Sequence, residues 1–140
     1  GGEESGGLAV KGHIPERDGV WIGLTILEFM AKTGKTLKEL IQEVYDTVGT
    51  FAFDRDDLHI TEAKKQAVIA DCKANKYTHF GQFPIVGTET IDGYKFILSE
   101  EEWIMIRPSG TEPVLRVYAQ APNLEKARVL LDATVGTILA

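Results

Sequence analysis

The stretch IVGTETIDGYKFILSEEEWIMIRPSGTEPVLRVYAQ, residues 85–120, decides the fold. It contains the runs IVGTETI, YKFIL, WIMIR and VLRVYAQ, each of strand length. Asp92-Gly93 separates the first two, and that dipeptide favours a tight hairpin. The last two are joined by RPSGTEP, residues 107–113. Pro108 and Pro113 have no N–H to give to a ladder, so this link is a loop between strands. Its donors are crowded: the Arg107 guanidinium, the Ser109 and Thr111 hydroxyls, and the N–H groups of Ser109, Gly110 and Thr111. Such a cluster suits an anion, and phosphate best, because arginine meets it with a two-pronged fork and successive N–H groups cradle its oxygens. Gly110 lets the backbone come close to the ligand. The hydroxyls could instead serve local turn hydrogen bonds. Glu112 is suited to orienting the loop. Arg116, on the strand face of Val114 and Tyr118, either supports the loop or makes a structural salt bridge.

Working outward, Pro122 and Asn123 open a helix whose inner face is Leu124, Ala127, Leu130, Leu131, Thr134 and Ile138. Upstream, residues 76–84 read as aromatic-rich and irregular. Thr61 caps a helix to about Asn75, with Ala67, Val68, Ile69 and Cys72 inward. FAFDRDDLHI, 51–60, reads as a strand or short hairpin, with DRDD at 54–57 as a solvated turn. Thr36 and Glu39 form a capping box for a helix with Leu37, Leu40, Ile41, Val44, Tyr45 and Val48 at helical spacing. Asp18 caps a helix over Gly19–Lys32 that Gly34 stops. That helix is apolar nearly all round, a pattern normally buried on several sides, and it needs more partners than the rest of the chain offers. LAVKGH, 8–13, reads as a strand. The fold class expected is α+β: a mostly antiparallel sheet of about four strands with helices on one face, preceded by a strand–helix segment. The division is expected at 35–36, giving domains 1–35 and 36–140.

The chain has 140 residues, 44% of them hydrophobic, and a net charge of −6. That supports a packed core and argues against a nucleic-acid binder, which carries a basic face. A local pocket for a small phosphate is compatible with the overall acidity. Cys72 is the one cysteine, so no internal disulfide framework exists and a cytoplasmic protein is expected. His13, His59 and His79 are scattered and lack metal-ligand spacing. Trp103 and Tyr118 read as core. VWIGLTILEFM is too short to span a bilayer. The chain opens on the glycine-rich GGEESGG without a Met, and the expectation is a piece of a longer protein.

RPSGTEP followed by LRVY resembles the phosphate-binding loop in the last domain of the α-D-phosphohexomutases. GGEESGG resembles the sugar-recognition loop of that family's third domain, and DGVWIGLTILEFMAKTGKTLKELIQEV is similar to the bridge between them. The resemblance covers the whole chain, with the longer motif the more specific. It implies a TBP-like C-terminal domain at 36–140, after the end of a third α/β domain. It implies an enzyme interconverting hexose 1-phosphate and hexose 6-phosphate, glucose or mannose first, through a phosphoserine and a hexose 1,6-bisphosphate. On that resemblance, Arg107, Ser109, Gly110 and Thr111 bind the phosphate, and Glu3 and Ser5 hold sugar hydroxyls. Mg²⁺ and the phosphoserine belong to other domains, since no TASHNP-like or DGDxDR-like string occurs; these residues alone are expected to catalyse nothing. The expected partners are a phosphosugar and the remaining domains, with no nucleic acid and no membrane. The alternatives are a phosphoglucosamine mutase, a free-standing phosphosugar-binding module, or a structural interaction domain.

Overall fold

The computed structural model describes residues 1–2, 6–110 and 114–140. In chain order its elements are α1 (Gly19–Thr33), α2 (Leu37–Val48), β1 (Ala52–Leu58), α3 (Glu62–Lys73), β2 (His79–Phe80), β3 (Phe83–Pro84), β4 (Gly87–Glu89), β5 (Tyr94–Ile97), β6 (Trp103–Pro108), β7 (Leu115–Ala121) and α4 (Leu124–Leu139). They form two compact units, Gly1–Val48 and Gly49–Ala140. The units divide after α2, later than the 35–36 division read from the sequence. Gly34 ends α1 but the chain continues at once into α2, so both helices stay in the first unit.

In the first unit, Asp18 caps α1 by accepting from the Trp21 N–H at 2.9 Å, and its other carboxylate oxygen meets His13 Nε2 at 2.9 Å. The Trp21 N–H and then His13 hold the Asp18 carboxyl below the usual carboxylate range. The His13 ring stacks on Trp21. Gly34, at φ 68°, closes the helix with its N–H on Met30. The Thr36–Glu39 capping box forms, with the Thr36 N–H on Glu39 Oε2 at 2.7 Å. One expectation fails here. LAVKGH forms no strand: Leu8 makes one bridge, to Gly2, and Gly12 at φ 94° turns the chain, with the His13 N–H on Val10. On α1, Ile22 is the buried residue while Val20 is 77% exposed and Leu24 61%, in line with a helix that has too few partners in this chain.

In the second unit a five-stranded antiparallel sheet has the order β1-β7-β6-β5-β4. β4 to β7 form a meander, and β1 returns to pair with β7 from Ala52↔Ala121 to Leu58↔Leu115. One face alternates apolar side chains, Phe96, Ile104, Ile106, Leu115 and Val117, all essentially buried. α3 and α4 cover that face through Val68, Cys72, Ala127, Leu130, Leu131 and Ile138. Thr61 and Asn123 cap these helices by accepting from the Lys64 and Lys126 N–H groups. Phe80 is edge-on to Phe96, with centroids 5.2 Å apart. The segment expected to be irregular holds the β2–β3 pair, turned at Gly81, φ 54°.

DRDD is not a solvated turn but the middle of β1. Asp54 and Asp56 face α4, where Arg128 hydrogen-bonds both, Asp54 at 3.2 Å, and reaches Asp132 on its own helix. The Asp56 bond, foremost, raises the Arg128 pKa. An acidic run is thus accommodated in a strand because an arginine across the layer neutralises it.

Burial, aided by Asp71, pushes the Cys72 thiol up from 9.0 to about 12, and burial pushes the Tyr77 phenol up from 10.0 to about 12. Both groups keep their proton in the folded state while the unfolded chain loses it. Their stabilising contribution is complete below about pH 9 and is lost as pH rises towards 12. Urea midpoints should therefore hold at pH 8 and fall by pH 10.5, and Cys72 should resist a thiol reagent until the chain unfolds. Rapid labelling of the native thiol would contradict this.

Candidate functional site

The site forms where β6 ends. β5 and β6 pair through Tyr94↔Ile106, and β6 and β7 through Arg107↔Arg116 and Pro108↔Leu115. Strand alternation places Arg107 and Arg116 on the face away from α3 and α4. Like charges directly opposite one another are unfavourable, and each has an acidic neighbour. Arg107 Nη1 lies 3.4 Å from Asp92 Oδ2, and Arg116 Nε lies 3.8 Å from Asp57 Oδ1. The Arg107 side chain is 43% exposed, so an anion from solution can reach it. Beyond Pro108 the loop is closed by the Ser109 N–H donating to the Val114 carbonyl at 3.1 Å. Ser109 is half-buried and Gly110 exposed.

Arg107, Pro108 and Gly110 line a cleft of about 440 Å³ with Tyr94, Asp92 and Ile69. The structure therefore brings Arg107 and Gly110 together and sets Ser109 between them in the chain. Arg116 stands on the neighbouring strand. Thr111 and Glu112 lie outside the described residues, as do Glu3 and Ser5. At the base of the glycine-rich loop the Ala9 N–H donates to the Gly1 carbonyl at 2.8 Å. A hollow of about 370 Å³ beside it is lined by Gly2, Gly7, Glu16 and Arg17 among others.

In the sequence Asp92 and Gly93 are turn chemistry alone; the structure places them at the cleft. The link from Glu89 to Lys95 is wider than the two-residue turn expected. Gly93 sits at φ 102°, and a Cβ there would meet the Ile106 carbonyl at 3.0 Å and Arg107 Cβ at 3.2 Å. It is the glycine that lets the turn lie against the stem of Arg107. The signal lay in the register: once YKFI is paired with WIMI, residue 93 falls beside 107.

The arrangement offers a part-exposed arginine and an open cleft beside the loop, which is chemistry for an oxyanion; the Ser109 N–H, expected among the loop's donors, is instead taken by the Val114 carbonyl. Among the described residues no group of three His, Cys, Asp or Glu could hold a metal, so the Mg²⁺ implied by resemblance finds no ligand set among them. Among the described residues no helix is long and apolar enough to cross a membrane.

Comparison with known families gives two matches. Residues 1–48 match the phosphoglucomutase/phosphomannomutase alpha/beta/alpha domain III, and residues 58–136 match the phosphoglucomutase/phosphomannomutase C-terminal domain. The chain belongs to the phosphoglucomutase/phosphomannomutase family. Relatives in this family include a phosphoglucomutase/phosphomannomutase of Thermococcus kodakarensis, 33% identical over 94% of this chain and 26% of its own. A phosphoglucosamine mutase of Methanococcus aeolicus is 38% identical over 99% of this chain and 28% of its own. Among solved structures, a phosphoglucomutase/phosphomannomutase family protein from Burkholderia thailandensis shares the fold. Its TM-score is 0.64 at 18% identity, covering 99% of this chain and 28% of that one. The open form of parafusin, a phosphoglucomutase from Paramecium, gives 0.66 at 17%, covering 96% of this chain and 29% of that one. The chain thus spans between a quarter and a third of the length of these phosphohexomutases. The α+β class and the family are as expected from the sequence. The sheet has five strands, the extra one being β1.

Proposed function

We propose that this chain binds the phosphate of a hexose phosphate and, as part of a cytoplasmic phosphohexomutase, closes the active site over it. The observation that carries this is Arg107 at a strand end, half-exposed beside a 440 Å³ cleft, with the Ser109–Val114 loop closure next to it. Arg107 supplies the fork to the phosphate; the N–H groups of Gly110 and Thr111 and the two hydroxyls supply the remaining donors, since the Ser109 N–H is held by Val114. Glu112 orients the loop, and Arg116 adds positive field from the next strand. Glu3 and Ser5 read the sugar hydroxyls. The unit Gly1–Val48 then belongs to the sugar-binding part and Gly49–Ala140 to the phosphate-binding part.

Positioning and charge stabilisation are most of what a protein adds to phosphoryl transfer. This part contributes both without touching the transferring bond. The phosphoserine, the Mg²⁺ and the turnover of a hexose 1,6-bisphosphate are assigned to the remainder of the enzyme. Closure excludes water, which protects the phosphoenzyme from hydrolysis. Glucose and mannose phosphates are the first substrates to try. The glucosamine phosphates are a second reading, favoured by the 38% identical phosphoglucosamine mutase.

Amide NMR of the chain titrated with glucose 1-phosphate, glucosamine 1-phosphate and glucose 1,6-bisphosphate tests the reading. Shifts centred on Ser109, Gly110 and Thr111 are expected, at millimolar affinity. A fully dispersed spectrum in which those amides stay still at every ligand would overturn it.

A further inference from the structure

The contact between Arg107 and Asp92 carries a consequence for how anions enter. Asp92 sits in the link between β4 and β5, and its side chain is 70% exposed. It is therefore not fixed by packing, and its 3.4 Å separation from Arg107 Nη1 is a loose ion pair rather than a close forked hydrogen bond. The opposite strand presents Arg116, already beside Asp57. Gly93, without a Cβ, is what allows the turn to abut the arginine stem, since any side chain there would press on Arg107 Cβ and Cγ. Carboxylate and phosphate compete for the same guanidinium donors, and both cannot occupy the fork together.

We propose that Asp92 is a built-in stand-in anion. In the free chain it holds the guanidinium of Arg107 beside the cleft, and an arriving phosphate displaces it. This rests on the reading of Arg107 as a phosphate ligand. Asp92 then sets affinity: it competes for the guanidinium and disfavours weakly charged anions that cannot outcompete it. The exchange moves charge from one partner to another without any bond being made or broken. A dianionic phosphate gains most, because it meets Arg107 with twice the charge of the carboxylate it replaces.

The test is phosphate binding by the chain and by Asp92→Asn, followed through the Ser109 and Gly110 amides with inorganic phosphate and with glucose 1-phosphate. Asparagine retains the side-chain turn bonding of aspartate, so the link keeps its shape. Loss of an exposed ion pair and of repulsion towards the ligand should tighten binding by about three- to tenfold at low salt, with a smaller gain at high salt. The Arg107 Nε–H signal of the ligand-free variant should also move. Asp92→Glu, which keeps the carboxylate, should stay weaker than Asp92→Asn. If the unmodified chain binds and Asp92→Asn binds equally or less tightly, the stand-in role is wrong while the phosphate reading survives. If neither protein binds though both are folded, the phosphate reading fails and takes this inference with it. A purely structural aspartate would give the opposite sign, weaker binding on substitution.

Discussion

Changing Arg107 to alanine should weaken binding of a hexose phosphate by about 10- to 100-fold. Hydrogen bonds to charged groups are worth about 1.5–3 kcal/mol each, and every 1.4 kcal/mol is a factor of ten. Among the described residues, Arg107 is the one side chain of the cleft lining that brings a fixed positive charge. The remaining loop donors are neutral, so nothing else along that lining replaces its charge. The fold should not suffer in parallel. The side chain is 43% exposed and pairs loosely with a more exposed aspartate, so its removal should change stability by no more than about 0.5 kcal/mol. Lysine at the same place keeps the charge but loses the fork, and should restore only part of the affinity. Titration by NMR or calorimetry with glucose 1-phosphate gives the number, and a thermal scan gives the control. In the complete phosphohexomutase the same substitution should lower kcat/KM by at least as much. Unchanged affinity with an unchanged melting curve would remove Arg107 from the site.

Phe96→Ala should be the costliest single change to the fold, about 3–5 kcal/mol. Phe96 is 1% exposed on β5 and is met edge-on by both Phe80 and Tyr77. Truncation removes the buried area, both aromatic contacts and the filling of a close-packed interior. Whole domains are stable by only about 5–15 kcal/mol, so the second unit should melt far earlier or fail to fold. Urea unfolding of the variant measures the loss. Val20→Ala is the contrast: at 77% exposure it should fall within about 0.5 kcal/mol. A Phe96→Ala cost below about 1 kcal/mol would mean the aromatic cluster is not the core it is described to be.

Much of this was legible in the residues. The caps at Asp18, Thr36, Thr61 and Asn123 each mark a helix start, because a side-chain oxygen next to an orphan N–H is a local event. The inner face of α4 from Ala127 to Ile138 followed from spacing, whereas Leu124, counted on it, is exposed in the first turn. What escaped was non-local. DRDD reads as solvent-exposed until Arg128, far along the chain, is brought across from α4. LAVKGH has strand composition, but composition does not supply a partner. The Phe80–Phe83 pair is too short to show a period. At the site, RPSGTEP reads as an anion loop because its donors are contiguous, whereas Asp92 and Gly93 come beside Arg107 only through strand register.

The return of β1 to the far edge of the sheet has a consequence in time. Its partner β7 begins at Leu115, so a growing chain carries β1 unpaired through the synthesis of everything between. Non-local pairing of this kind is slow, since the loop must close before any ladder bond rewards it. A strand waiting that long invites edge-to-edge association with another chain. Asp54, Asp56 and Asp57 put three carboxylates on the waiting strand, so two copies of it repel each other. The acidic run guards the nascent chain until Arg128 arrives to claim two of those charges.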